Sequence, residues 1–554
     1  MLLELVKLAQ TLENELPPRL YSKSKVNFLI DLDADGNFIV PIVQIDQDQL
    51  VPHLGRNGDK AKLLVDTAEY VLGLGDRGSR RFPLFVELVK RCADDTQEPS
   101  VKAVVNFLDK LPLIEHENLT PGSVIGFQIK YKDLKFEKPH DLPSVREFWA
   151  SLFEASSQGS QKQHCLVTGK NCIPETKVQA KIKGVPNTQG SGASLTSAFL
   201  ESTYSYGLQQ ALVAPMSPAT VEAYTQALNH LLKSKEHCLR VGGVAYLLWH
   251  PDGGNELDVL NFLDKPSLED AQRWFEADRK PSQYRSEIDD TVYVLGLTGA
   301  SGRIVVRDWL TRKMPEVQEA VKEWLANQRL MDFQGKWRKP LGVWQLASAA
   351  YLKGEDILER HLIALTRNVL LGNKSPIPRD LLLRCLERIR AEQQPSYQQS
   401  VLIRLFLCSE GLCKQMSEIK DPGEYLDDFA TDELKSAYCL GRLLAIYHEI
   451  QSSAQSWRTD TNATRRYATA SVSPIQVFPQ LDRMVLHHLE SLEKSQGDFE
   501  HLISEVRIAM PNKQYSRRLT PEEQAAFGQG FWIQRHQPKR NSNTDATTTK
   551  TQEV

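Results

Sequence analysis

The sequence predicts an α+β protein, with a mixed α/β N-terminal region containing β-hairpins followed by a C-terminal helical bundle. Three observations predict it. Val26, Phe28, Ile30 and Leu32 recur at every second position ahead of an Asp35-Gly36 turn, and Phe38 and Val40 resume the alternation, so residues 25–44 read as a hairpin. A second hairpin is predicted between Thr291 and Trp309, where a GASG turn joins two runs and Ile304 and Val306 face away from Arg303 and Arg307. Beyond Trp344 the apolar residues recur at helical spacing, and candidate strands all but vanish.

Taken in order, the chain opens with MLLELVKLAQTLENEL, an amphipathic helix whose acids set it apart from a secretory signal. After the first hairpin, Ser217 and Pro218 open a helix that places Val221, Tyr224, Leu228, Leu231 and Leu232 on one stripe. The second hairpin completes a mixed α/β region over residues 1–345. A helical region over 346–415 carries the stripe Leu358, Leu362, Leu365 and Val369. The polar, acidic stretch from Ser417 to Asp428 then leads into a C-terminal helical bundle over 416–537. Its stripes fall at Ala437, Leu440, Leu444 and Tyr447, at Phe478, Leu481, Val485 and Leu492, and at Phe499, Leu502, Ile503 and Val506. Thr520, Pro521 and Glu523 form a capping box for the last helix. Residues 538–554 are polar and low in complexity, the composition of a disordered tail.

Composition narrows the function. The 554 residues, 41% apolar and 25% charged, suit about two to four soluble domains. No apolar run approaches the roughly 20 residues of a membrane span, so a cytoplasmic protein without membrane contact is expected. Eight cysteines are scattered without a CxxC pair, as reduced thiols would be, and no disulfide is expected. A net charge of −3 argues against nonspecific coating of nucleic acid, which needs many cations to displace counterions, but leaves room for a local basic patch.

Such a patch lies between Gln161 and Ser194, where Lys162, Lys170, Lys177, Lys181 and Lys183 face a single acid, Glu175. In an extended run Lys181 and Lys183 share a face. The run then breaks into Gly184, Pro186, Asn187, Gln189, Gly190, Ser191, Gly192 and Ser194, whose backbone N–H groups and small side chains can approach phosphates closely. Lysines would bind backbone phosphate there, and Asn187 or Gln189 could hydrogen-bond base edges. Asn57, Lys60 and Lys62, in a polar loop ahead of a helix, form a second candidate patch. The same patterns also suit solvated loops with chance lysine clusters.

Other motifs are weaker. Asp31, Asp33, Asp35 and Gly36 imitate a calcium loop, but Ile42 stands where a bidentate glutamate belongs. His164, Cys165 and Cys172 are soft ligands lacking a fourth partner, and His487 and His488 diverge by about 100° on a helix. A Walker loop, a GxSxG elbow and an HExxH motif are all absent. No catalytic residue, metal or cofactor is therefore expected.

Seven blocks in order carry a resemblance: NFLIDLDADGNF (Asn27 to Phe38), KAKLLVDTAEYVLGL (Lys60 to Leu74), CLVTG (Cys165 to Gly169), KIKGV with QGSGAS (Lys181 to Ser194), SYGLQQALVAPMS (Ser205 to Ser217), VYVLGL (Val292 to Leu297) and VFPQLDRMVLHHL (Val477 to Leu489). With them the chain resembles the large-subunit family of the type I-C CRISPR surveillance complex, Cascade. It departs near Arg56 to Lys62, where RNGDKAK replaces a more proline-containing segment. The resemblance implies a subunit without catalytic chemistry that reads a protospacer-adjacent motif in double-stranded DNA and supports R-loop formation. Its implied partners are the guide RNA, the target DNA, the backbone and guide-RNA-end subunits, and a separate helicase-nuclease. The long-range specificity would come from base pairing to the guide, so that the protein need read only a few base pairs. The resemblance further implies separate production of the C-terminal helices from an internal start, for which Met416 is well placed. Within that product Arg465, Arg466, Arg517 and Arg518 could track the displaced strand. The competing reading is an enzyme, a stand-alone metal-dependent nuclease or guide-RNA processor, and a third is a scaffold that never touches DNA.

Overall fold

The computed structural model describes residues 1–39, 41–53, 58–131, 135–155, 162–178, 180–196, 198, 201–204, 206–252, 291–300, 302–330, 338–414, 422–455, 460–492 and 495–536. The proposed tail over 538–554, together with Asn57 and Met416, lies outside them. The fold is mixed α/β. It comprises two compact units: one of Met1–Ser234 with Leu297–Val306, the other of Lys235–His250 with Arg307 onward.

The first unit opens with α1 (Leu2–Thr11), amphipathic as predicted, with Leu5, Val6, Leu8 and Ala9 buried. Strands β1 (Tyr21–Asp33) and β2 (Val43–Pro52) form a hairpin, with Leu29 opposite Val43 and Tyr21 opposite Pro52, that contains the predicted Asp35-Gly36 turn, but its second strand begins at Val43 and Phe38 makes only an isolated bridge to Leu32. A bulge between Val26 and Phe28 breaks the register. The simple alternation therefore fails at one place, because an inserted residue turns the chain over. Phe28, Ile30 and Leu32 enter the main core, whereas Val26 joins Leu29, Val51 and Val65 in a smaller cluster. Past the hairpin come β3 (Asp66–Thr67), α2 (Ala68–Val71), α3 (Gly78–Thr96), α4 (Pro99–Lys110), β4 (Val124–Lys130), β5 (Phe136–Glu137) and α5 (Pro143–Ala155). The sheet order is β2-β1-β4-β3, with β5 on β4 and the β1–β4 pair parallel. Phe85, Val89, Val104 and Phe107 of α3 and α4 pack in the core formed with Phe28, Ile30 and Phe127.

The calcium-like motif is a turn. Asp33 accepts hydrogen bonds from the Asp35 and Asn37 amides at 3.0 and 2.8 Å and from the Asn37 side chain at 2.9 Å, which occupies its carboxylate. Two short strands, β6 (Gln163–His164) and β7 (Asn171–Cys172), precede α6 (Pro218–Lys233). The Ser217 hydroxyl caps α6 by accepting from the Thr220 amide at 3.2 Å, and Val221, Tyr224, Leu228, Leu231 and Leu232 are buried as the stripe predicts.

Next along the chain, β8 (Cys238–Val241), β9 (Val244–Trp249), β10 (Thr291–Ala300) and β11 (Arg303–Lys313) make a sheet of order β11-β10-β9-β8. The second predicted hairpin is β10–β11. The helices of the second unit follow: α7 (Met314–Asn327), α8 (Val343–Ser348), α9 (Glu359–Leu371), α10 (Arg379–Glu392), α11 (Tyr397–Ser409), α12 (Asp432–Ala454), α13 (Asn462–Arg465), α14 (Tyr467–Val472), α15 (Phe478–Glu490), α16 (Gln496–Ala509) and α17 (Pro521–Arg535). The predicted capping box opens α17, with Thr520 and Glu523 bonding reciprocally at 3.3 and 3.0 Å. Helices α12 and α17 touch backbone to backbone. A Cβ at Gly441 would stand 2.0 Å from the Phe527 carbonyl, and one at Gly530 2.1 Å from that of Tyr438, so only glycine permits this crossing. One continuous core runs from Val241 to Ile533. Among the described residues no helix is long and apolar enough to cross a membrane.

Candidate nucleic-acid interface

The lysine surface lies in the first unit and is built on a narrow hairpin. Ile182 and Ala193 exchange both backbone hydrogen bonds, at 3.0 and 2.9 Å, and Ile182 is buried. The buried isoleucine fixes the alternation, so Lys181 and Lys183 flank it, half-buried and exposed respectively. Asn229 of α6 clamps this strand: its amide nitrogen donates to the Lys181 carbonyl at 3.0 Å and its oxygen accepts the Lys183 amide at 2.8 Å. The Lys181 ammonium donates to the Ser194 hydroxyl across the hairpin at 2.9 Å.

The returning arm needs glycine at position 192. Its φ is +91°, and a Cβ there would lie 2.8 Å from the Ile182 carbonyl. Between the arms, Thr188 bonds the Val185 carbonyl at 2.7 Å and the Gly192 amide bonds that of Gln189 at 2.9 Å. The tip of β10–β11 supports the loop from outside, with the Gly299 amide donating to the Pro186 carbonyl at 2.8 Å. Asn187, held in the left-handed region at φ +61°, is exposed, as are Gln189 and Ser191. The polar side chains singled out in the sequence thus point outward from a braced loop.

The second patch is also braced. Asp59 pairs with Arg80 and Arg81, Arg81 also pairs with Glu69, and Asp66 accepts the Lys62 amide at 2.8 Å and the Thr67 amide at 2.6 Å. Lys60 is exposed and Lys62 half-buried. The two patches both act on His53. Its imidazole is held down to about 4, first by desolvation and then by the positive charges of Lys62 and Lys183 together. The positive charges of two segments some 120 residues apart in sequence therefore both bear on one imidazole.

The arginines of the second unit differ among themselves. Arg465 is neutralised by Asp460, at 2.9 and 2.6 Å, and Arg466 bonds Gln480. Arg517 and Arg518 are exposed, on a segment tied to the chain after α14 by the Leu519–Val472 bond at 2.9 Å and the Ser473–Arg517 bond at 2.7 Å. Arg465 and Arg466 precede α14, while Arg517 and Arg518 lie by its far end. Among the described residues no group of three His, Cys, Asp or Glu side chains that could hold a metal comes together, His164, Cys165 and Cys172 included.

Sequence reasoning missed Asn229, His53 and Gly299. Asn229 sits on a helix whose apolar stripe accounts for its neighbours, and nothing local marks it as a clamp. Asn229→Ala is expected to remove a bond of about 1 kcal/mol from the Lys183 amide and speed its hydrogen exchange by about fivefold. Exchange unchanged from wild type would show that the strand holds itself.

A search of curated proteins finds no match for the chain. A family model, by contrast, matches it over residues 5–538, which takes in both units, the lysine hairpin and the Lys60–Lys62 segment. On that match the chain belongs to the CRISPR-associated protein (Cas_Csd1) family.

Proposed function

We propose that the chain is the non-catalytic large subunit of a type I-C Cascade, acting in the cytoplasm, that reads the protospacer-adjacent motif in target DNA. On this reading it supports R-loop formation and helps recruit a helicase-nuclease. The observation that carries the proposal is the braced lysine hairpin that turns Asn187, Gln189 and Ser191 outward, with the charges of Lys62 and Lys183 both bearing on His53. Lysine ammonium groups suit backbone phosphate, and short amide and hydroxyl side chains on a rigid loop suit base edges. The test is the affinity gap between targets with and without the motif, measured on the assembled complex. Asn187→Ala and Gln189→Ala are expected to narrow that gap by about 1–3 kcal/mol. Equal loss on both targets would assign these side chains to phosphate or to folding. Cleavage of guide RNA or DNA by the pure chain with divalent metal, abolished by a point substitution in it, would replace this reading with the enzyme.

The separate C-terminal product beginning at Met416 belongs to the same proposal. Such a product keeps α12 to α17 but loses α11, to which α17 is joined by a 2.6 Å bond from buried Gln529 to the Ser400 carbonyl. It would need a new partner for that face. Met416→Leu is expected to abolish the short species in intact-mass analysis of the purified complex, and its persistence with another first residue would refute initiation there. On the same reading Arg517 and Arg518 track the displaced strand, Arg465 and Arg466 less so because Asp460 and Gln480 already hold them.

A further inference from the structure

All eight cysteines are free thiols, and two of them stand in an arrangement the proposed DNA-reading role does not use. Cys165 follows β6 and Cys172 ends β7. Gln163 is paired with Cys172 and His164 with Asn171, while the Cys165 amide bonds the Lys170 carbonyl at 2.9 Å. Residues two apart on a strand share a face, so Cys165 and Cys172 are diagonal neighbours on one face of this small hairpin. Burial, then the Cys165 charge and the hydrogen bond to the Cys165 sulfur, push the half-buried Cys172 thiol up.

The Cys165 sulfur sits among donors. The Thr168 hydroxyl and the amides of Thr168, Ser217 and Val167 all favour its anion, and the Thr220 hydroxyl is 3.7 Å away. Ser217 is the N-cap of α6, so the sulfur also lies at the positive end of a 16-residue helix. Burial acts in the opposite direction and is the largest single influence, yet the donors together outweigh it and hold the thiol down to about 6. The other cysteines differ. Burial pushes Cys92 up to about 12 and Cys439 up to about 11, and raises Cys238. Cys413 is also held low, at about 7, first by the hydrogen bond from Cys408, with the enclosed Arg404 guanidinium 3.9 Å away; like Cys165, which is 2% exposed, both are buried.

We propose that Cys165 and Cys172 form an oxidisable dithiol whose substrate is a hydroperoxide. The Cys165 thiolate attacks the terminal peroxide oxygen, the O–O bond breaks, the sulfur is oxidised to a sulfenic acid and the alkoxide leaves, which for hydrogen peroxide is hydroxide. The Cys172 sulfur then attacks the sulfenic sulfur. An S–S bond forms as the S–O bond breaks, and the departing hydroxide takes the Cys172 proton as water. A disulfide carries no negative charge, so the amides of Val167, Thr168 and Ser217 lose their anionic acceptor at the start of α6, the helix that carries Asn229 and hence the clamp on the lysine strand.

The test treats the reduced, full-length chain with hydrogen peroxide under native conditions, blocks remaining thiols by alkylation and maps the peptides by mass spectrometry. A Cys165–Cys172 cross-link is expected, forming at pH 6.5 at least about tenfold faster than Cys92, Cys238 or Cys439 is modified, because even an unperturbed thiol is only about 1% thiolate there. In Cys172→Ser protein dimedone is expected to label Cys165. A cross-link that appears only after denaturation, or Cys165 oxidised no faster than Cys238, overturns the proposal, and both readings come from the wild-type chain, so a misfolded variant cannot obscure them.

Discussion

Replacing Lys62 and Lys183 together with alanine is expected to make log K against log salt about 1.8 units shallower for target DNA, since each lost phosphate contact removes about 0.9. If each contact is close to neutral at 1 M salt, that slope corresponds to about thirtyfold weaker binding at 0.15 M and about two-hundredfold at 0.05 M. The effect exceeds what two scattered surface lysines would give, because both must meet the same duplex, and their charges both bear on His53. The same variant carries a check that needs no DNA. With both positive charges gone, the His53 imidazole is expected to titrate higher, toward its ordinary value, in NMR spectra of the free protein. A His53 titration that does not move would mean that the two charges do not bear on it. A titration that moves while DNA binding stays as in wild type would keep the surface and remove its proposed ligand.

The fold was legible in the sequence wherever periodicity ran unbroken. The α6 stripe, the α17 capping box and the β10–β11 hairpin stand where the pattern puts them. It was less legible where one residue changes the phase: the bulge beside Val26 sends that side chain to a different cluster from Phe28, and no composition rule marks an inserted residue. The candidate site was legible as residue types and illegible as a site. Lys181, Lys183, Asn187 and Gln189 could be picked out because an acid-poor, glycine-rich loop is unusual in an acidic chain. That Lys62 faces the same His53 depends on pairings between distant segments, which local spacing does not encode. The supports are hidden for a related reason. Gly299 looks like any turn glycine, yet a Cβ there would lie 2.3 Å from the Asn187 carbonyl, a constraint visible only once the β10 tip and the loop are side by side.

Both units are expected to loosen on acidification between about pH 6.5 and pH 4, a window set by buried histidines. His140 is 1% exposed, with neither ring nitrogen hydrogen-bonded, and His448 is 6% exposed, its ring bonded to the Thr461 hydroxyl at 2.9 Å. Burial holds each down to about 4; Asp141 partly offsets this at His140 while Lys138 and Arg146 add to it, and Arg535 adds to it at His448. The sign follows from linkage. The folded value lies below the unfolded one near 6.5, so the unfolded chain takes up protons first, and the stability each neutral ring contributes is complete above 6.5 and lost as pH falls to 4. A shift of this size is worth about 3 kcal/mol per histidine. Since His140 lies in the first unit and His448 in the second, a single melting curve would mix two losses. Hydrogen exchange of β1 and α12 peptides, after correction for the intrinsic pH dependence of exchange, separates them. His448→Gln, which keeps a side chain able to bond Thr461 but cannot take up a proton, is expected to protect α12 at pH 4.5 and leave β1 as acid-sensitive as before. If α12 in His448→Gln protein opens at acid pH as readily as in wild type, the acid sensitivity of that unit lies elsewhere than in its buried imidazole.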